Sequence, residues 1–215
     1  MNAVVTTLES KRKPSQRRGK QTYEMVLATA GQLLAEVGFE RLTTNLVCER
    51  AGLTPPALYQ YFPNKYSILR ELARRLMEAQ DAAVFAWLDA GGALAPTLAQ
   101  SVARSIDIQK QVNAITRRHP GGVWILRALR AVPELQVVQT ESRDRVAARI
   151  FDDVKRAHPH LNDETLRVGT RVATQVMYSA TEMVMEEPEA DEERVTEEVC
   201  WMVGLYYRRL IKPGS

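Results

Sequence analysis

The sequence predicts an all-α protein: a small N-terminal three-helix unit followed by a larger helical remainder. Two observations carry this. Apolar residues recur three and four positions apart through most of the chain, and Gly or Pro falls between the periodic stretches. No stretch alternates apolar and polar residues as a half-buried strand does, and no internal repeat is present.

The periodic pattern begins at Lys20. Tyr23, Val26, Leu27, Ala30, Leu33, Leu34 and Val37 form one apolar stripe, and Gly38 stands where a C-terminal glycine ends a helix. Thr43 is an expected N-cap for a short second helix through Leu46, Val47 and Ala51, which stops at Gly52. Leu53 and Thr54 make a tight connection. Pro55 and Pro56 suit a first helical turn, where a missing N–H costs little. Ala57–Phe62 reads as a third short helix, closed by Pro63 and Asn64.

Longer helices are expected over about 65–89, 95–118, 134–157, 163–186 and 191–211, with a short apolar one over 123–131. Gly91, Gly92, the run His119-Pro120-Gly121-Gly122, and Pro133 separate them. Residues 1–19 lack apolar periodicity and carry Pro14 and Gly19, so they read as a disordered basic arm. The expected division is therefore 1–19 arm, 20–66 three-helix domain and 67–215 helical domain.

Net charge is only +3, but it is unevenly placed. Lys11, Arg12, Lys13, Arg17, Arg18 and Lys20 face only Glu9, whereas Glu186, Glu187, Glu189, Asp191, Glu192 and Glu193 crowd a late segment. A basic end on a near-neutral chain suggests a polyanion partner at that end alone. Cys48 and Cys200 lack metal-ligand spacing and make a poor disulfide framework, so both read as reduced thiols. The basic stretch after Met1 is followed by no apolar signal core, and no run of about 18 apolar residues occurs. A cytoplasmic, bacterial protein without a membrane partner is the expectation.

The order of the first three helices carries the functional reading. A long helix, a two-turn helix, a Gly-centred turn and a short helix rich in hydrogen-bonding side chains make a helix-turn-helix, whose last helix enters the major groove of DNA. The stretch LTTNLVCERAGLTPPALYQYFPNK, residues 42–65, resembles the helix-turn-helix of TetR-family repressors, and the preceding LLAEVGFERLTT resembles the end of that family's first helix. The run Ala51-Gly52, Ala57-Leu58-Tyr59, Tyr61-Phe62, Asn64-Lys65 is the specific part. Two positions depart from the family pattern: Leu46 stands where an acidic residue is frequent, and Cys48 where Ala is common.

The resemblance implies roles by position. Thr44 and Asn45 touch phosphates or an edge base, and Thr54, Pro55, Pro56 and Ala57 begin the recognition helix. Tyr59 and Tyr61 contact phosphates. Gln60 is the best direct reader of a base, since its amide pairs bidentately with adenine. Lys65 holds a phosphate, and Arg17, Arg18 and Lys20 add backbone or minor-groove contacts. The partners so implied are double-stranded DNA with a palindromic operator, a second copy of the chain, and a small-molecule effector that releases the repressor.

The resemblance fades after about residue 75. There it implies a ligand pocket and a dimer built on the last two helices. Val168, Val172, Val176, Val195, Val199, Met202, Val203 and Tyr206 are the expected dimer residues, sharing their stripes with intrachain core. Phe85, Leu88, Trp124, Arg127, Phe151, Met177, Tyr178 and Glu182 are the expected pocket lining for a mainly hydrophobic effector. His119, His158 and His160 are the only histidines. With no nucleophile motif, phosphate loop or H-E-x-x-H, the chain is not expected to be an enzyme or to carry a cofactor or metal. A ligand-independent activator or architectural protein with the same DNA-binding unit is the alternative.

Overall fold

A computed structural model describes residues 10, 14 and 16–211. Nine α-helices and one 3-10 turn, with no strand, make up the described residues. They are α1 Arg17–Arg41, α2 Thr44–Ala51, α3 Pro55–Tyr59, α4 Lys65–Asp89, α5 Leu98–Arg118, α6 Gly122–Ala131, α7 Gln136–Ala157, α8 Asp163–Glu186 and α9 Glu192–Ile211, with the 3-10 turn at Pro133–Leu135 before α7. None is long and apolar enough to cross a membrane.

Local chemistry sets most boundaries. The Thr43 hydroxyl accepts the Leu46 N–H at 3.1 Å and caps α2. At the other end Gly52 adopts φ 63°, ψ 32°, and Leu53 N–H reaches Cys48 C=O at 2.9 Å. A Cβ at Gly52 would meet nothing within 4 Å, so backbone conformation rather than space calls for glycine in this turn. Asn64 caps α4 by accepting the Ser67 N–H at 2.9 Å, Thr97 caps α5, Asn162 caps α8, and Asp191 takes two N–H groups at the start of α9.

Some boundaries differ from expectation. Helix α1 starts at Arg17 rather than Lys20, so Arg17–Gly19 are helical; the rest of the expected arm lies outside the described residues, save Ser10, Pro14 and Gln16. The helix breaks at Gly38 (φ 74°, ψ 171°), as the sequence suggested, and resumes for one turn to Arg41. Regular α3 ends at Tyr59; the Tyr61 and Phe62 N–H groups both return to Leu58 C=O in a closing turn.

The chain divides into two compact units: residues up to Met77 with Arg117–Gln139, and Glu78–Thr116 with residues from Thr140 onward. In the first unit α1 contacts α2, α3 and α6. Val26, Leu27, Leu33, Leu34, Leu42, Val47, Leu58, Phe62 and Leu69 are buried there, with Tyr23 stacked on Phe62 at 4.7 Å. A Cβ on Gly31 of α1 would stand 2.9 Å from Cβ of Pro120, so the segment leading into α6 lies directly on α1. A boundary at 66/67 thus cuts through this unit, because α6 and the first half of α4 belong with α1.

In the second unit α8 and α9 pack antiparallel, Tyr206 lying across Gly169 near one end and Ala180 clustering with Val199 and Cys200 further along. Val102 of α5 completes that cluster. Beside it Gln109 donates to Thr181 at 2.7 Å and Asn113 donates to Glu192 at 3.0 Å, so the α5–α8–α9 register is set by satisfied buried amides.

Candidate nucleic-acid interface

The exposed face of α2 and α3 follows from what the buried face must do. Val47, Cys48, Leu58 and Phe62 are fixed inward. Their neighbours Asn45, Thr54, Pro55, Pro56, Tyr59 and Gln60 then stand exposed, with Thr44 and Ala57 half-buried. Arg17, Arg18 and Lys20 are exposed at the start of α1. The sequence-expected contact residues therefore lie on surface of the first unit, with one exception.

That exception is Tyr61. It is 6% exposed, against 38% for Tyr59. Its ring meets Tyr23 edge-on at 5.9 Å, and its hydroxyl lies against Gly19 at the start of α1. Tyr61 is buried and joins α1 to the end of the helix-turn-helix. Lys65 is also placed rather than extended: its ammonium donates to Phe39 C=O at 3.2 Å and Glu40 C=O at 3.3 Å.

Two features were not read from the sequence. The Thr44 and Tyr59 hydroxyls lie 3.0 Å apart, linking the first residue of α2 to the last of α3. Arg50 of α2 makes a bidentate pair with Glu36 of α1, both bonds at 2.9 Å. Fifteen or so residues separate each pair in sequence, so no helical spacing announces them.

Behind this face lies a charged brace. Arg75 of α4 donates to both oxygens of Glu24 on α1, at 2.6 and 2.7 Å, and to Glu71 at 3.0 Å; Arg74 also grips Glu71. The Arg75 hydrogen bonds hold the Glu24 carboxyl below its ordinary pKa. Burial alone would raise Glu71, but the two guanidinium groups outweigh it and hold it low.

The expected pocket residues do not all fall together. Phe85, Leu88, Phe151, Met177, Tyr178 and Glu182 lie in the second unit, whereas Trp124 and Arg127 lie in the first. Trp124 packs over Gly38, and Arg127 stacks on its ring at 4.6 Å. Tyr178 hydrogen-bonds Ser142 at 2.8 Å; Ser142 donates to buried Asp81 at 2.6 Å, and Arg145 pairs with the same carboxylate at 2.8 Å. Burial pushes both the Asp81 carboxyl and the Tyr178 phenol up.

The expected dimer residues divide too. Val168, Val172 and Met202 are exposed, while Val199 is buried within the chain and Val176 and Val195 pack against the same internal cluster. Val203 and Tyr206 are half-buried. Val199 thus serves the intrachain core, a use expected for part of each stripe. Met183 of α8 is also exposed, and Trp201 and Leu205 are exposed apolar residues of α9 outside the expected dimer set. Trp201 and Leu205, four apart, are the signal that was available.

A helix-turn-helix braced on a long first helix and followed by six further helices is an all-α DNA-binding arrangement. Residues 26–72 match the model of the bacterial regulatory proteins of the tetR family, and residues 97–206 match that of the tetracyclin repressor-like C-terminal domain. The second match alone spans half of the chain, and the chain belongs to the TetR family, a class of DNA-binding transcription regulators.

It is 46% identical over 54 residues to the class C tetracycline repressor protein of Escherichia coli, covering 25% of each chain. The chain thus spans about a quarter of the length of the curated relatives it matches. Among solved structures it is similar to the fatty acid degradation regulator FadR of Bacillus halodurans (TM-score 0.62, 17% identity, 90% of this chain and 97% of that one). It is also similar to a TetR-family transcriptional regulator of Streptomyces coelicolor (TM-score 0.59, 21% identity, 88% and 99%). These likenesses show a shared fold.

Proposed function

We propose that this chain is a homodimeric repressor that binds a palindromic operator and leaves it when a small amphipathic ligand enters the second unit. The exposed row Asn45, Thr54, Pro55, Pro56, Tyr59 and Gln60, with half-buried Thr44 beside it, on a helix-turn-helix whose apolar side faces its own core, is the observation that carries this reading. Within the first unit residues 20–66 make the DNA-reading part, and the helices beyond carry sensing and pairing. Gln60 is exposed and carries a donor and an acceptor, as bidentate adenine readout requires. Ala57 offers the small surface that a thymine methyl group accepts. Lys65 adds a fixed positive charge, and Arg17, Arg18 and Lys20 add cations at the adjoining start of α1.

Pairing rests on Val168, Val172 and Met202, with Val203 and Tyr206 at the edge of that face. Two-fold symmetry would set two recognition helices one DNA turn, roughly 34 Å, apart. For the effector, Phe85, Leu88, Phe151 and Met177 offer apolar surface. Tyr178 and Glu182 offer polar groups beside it, which favours a ligand that is mostly apolar with a polar end. Such a ligand lowers operator affinity by preferring the DNA-free conformation, and operator DNA lowers ligand affinity by the same factor.

Enrichment of duplexes from a random-sequence pool by the purified protein tests the reading. The expected product is a two-fold symmetric sequence bound by two chains, with affinity falling steeply as salt rises. Gln60→Ala should relax base preference at one position per half-site, whereas Lys65→Ala should weaken all sequences alike. Enrichment of no duplex, or of sequences without symmetry, would overturn the proposal.

A further inference from the structure

We infer that Thr44 is a positioning residue for Tyr59, and that their paired hydroxyls act as a single donor to one phosphate of bound duplex. The inference rests on the DNA-binding reading above but goes beyond it, because it assigns two residues to one contact. Tyr59 stands at the end of α3 with its ring exposed, and a phenol there is ordinarily free to swing about χ1. Here its hydroxyl meets that of Thr44, the first residue of α2, at 3.0 Å. The bond joins residues fifteen apart in sequence and lies on the exposed side of both helices, where water would otherwise satisfy each group.

The proton count gives the pair its character. Each hydroxyl has one proton and can also accept. One of the two donates to the other, so the pair has one remaining O–H to offer outward. That outward donor is polarised by the hydrogen bond its oxygen accepts, which favours an anionic acceptor over water. A phosphate oxygen is such an acceptor. Thr44 also removes the rotamer freedom that an isolated Tyr59 would lose on binding.

Coupling follows. In the proposed pair Thr44 donates to the Tyr59 oxygen, so without the Thr44 hydroxyl Tyr59 keeps its proton but loses its placement and its polarising partner. Without the Tyr59 hydroxyl, the outward group is gone. Either loss removes the same contact, so the second loss adds little.

The test uses the full-length protein and the duplex it enriches from a random pool. Thr44→Val keeps the shape without the hydroxyl, Tyr59→Phe removes only the phenol oxygen, and Thr44→Ser retains the donor. We expect Thr44→Val and Tyr59→Phe each to weaken binding about tenfold, the double variant to be no weaker than either, and Thr44→Ser to bind as wild type. The dependence of affinity on salt should be unchanged, because no cation is lost. A scan of single methylphosphonate substitutions supplies the readout that a merely structural role would not move. One neutralised phosphate should weaken wild type as the variants do, and should cost Thr44→Val and Tyr59→Phe nothing more. Losses that multiply in the double variant, a silent Thr44→Val, a Thr44→Ser that fails to bind as wild type, or no phosphate with this signature would overturn the inference and leave the DNA-binding reading standing. Failure to enrich any duplex would overturn both.

Discussion

Thr43 shows how much a single side chain can be read in advance and what it does. A threonine followed three residues later by an apolar helical residue predicts an N-cap, and its hydroxyl does accept the Leu46 N–H. With no acidic residue in the first turn of α2, the helix has no carboxylate to complement its N-terminal dipole, so the cap stands without that help. Thr43→Ala should cost about 1 kcal/mol, whereas Thr43→Ser should cost a few tenths, both measured by urea unfolding. Equal loss in the two variants would show that the methyl group rather than the hydroxyl matters. The neighbouring tyrosines mark the limit of such reading. Tyr59 and Tyr61 are the same residue type two positions apart, and a local pattern treats them alike. Only the ring of Tyr23, brought from thirty-eight positions away by the helix crossing, makes Tyr61 core.

At the scale of elements, helix existence was legible and helix ends were legible wherever a cap supplied them. Asp163–Glu186 was bounded correctly because Asn162 and the acidic first turn announce its start. The start of α1 was placed three residues late because Gly19 reads as a breaker, although it sits where the Tyr61 hydroxyl leaves room for no Cβ. The brace between α1 and α4 was not legible at all. Arg75 and Glu24 are far apart in sequence, and nothing in a charge pattern pairs them. This brace makes the first unit sensitive to pH in a definite direction. Both glutamates have folded pKa values below the ordinary 4.5. Their stabilisation is therefore complete above that value and is lost as pH falls from it through the lower folded values. Arg75→Met keeps much of the stem packing and removes the fork. It should destabilise the protein by about 1–2 kcal/mol at neutral pH, a figure reduced from that of a fully buried pair because Glu24 is largely exposed. The gap between wild type and variant should narrow as pH is lowered toward about 4, because only wild type loses the carboxylate contribution. A gap that stays constant across that range would place the effect of Arg75 in its packing instead.

At the scale of the whole molecule, sequence order misleads where chain return decides membership. Gly122–Ala131 reads as part of the later helices, yet it groups with α1, because Gly31 lets Pro120 approach the backbone of that helix. Trp124 and Arg127 go with it, Trp124 packing over Gly38 and Arg127 stacking on the Trp124 ring. The stripes on α8 and α9 are divided for a related reason. A stripe of valines at helical spacing marks an apolar side, but an amphipathic helix in a bundle has to serve its own core before any partner, and periodicity does not say where one face stops. The structure separates them: Val199 is 5% exposed, whereas Val172 is 56% and Met202 61% exposed. Val168, Val172, Met183, Trp201, Met202 and Leu205 are large apolar side chains left exposed on α8 and α9. If a second copy covers this face, Met202→Glu sets two carboxylates near a two-fold axis, and desolvation with like-charge repulsion opposes pairing while the fold of the single chain is untouched. The expected outcome is a monomer by sedimentation, with helical circular dichroism unchanged and binding to a symmetric duplex reduced by far more than binding to one half-site. Val199→Ala is the internal comparison: it should lower stability by about 1–2 kcal/mol through a cavity and leave the dimer intact. A Met202→Glu protein that still sediments as a dimer would move the pairing surface off these two helices.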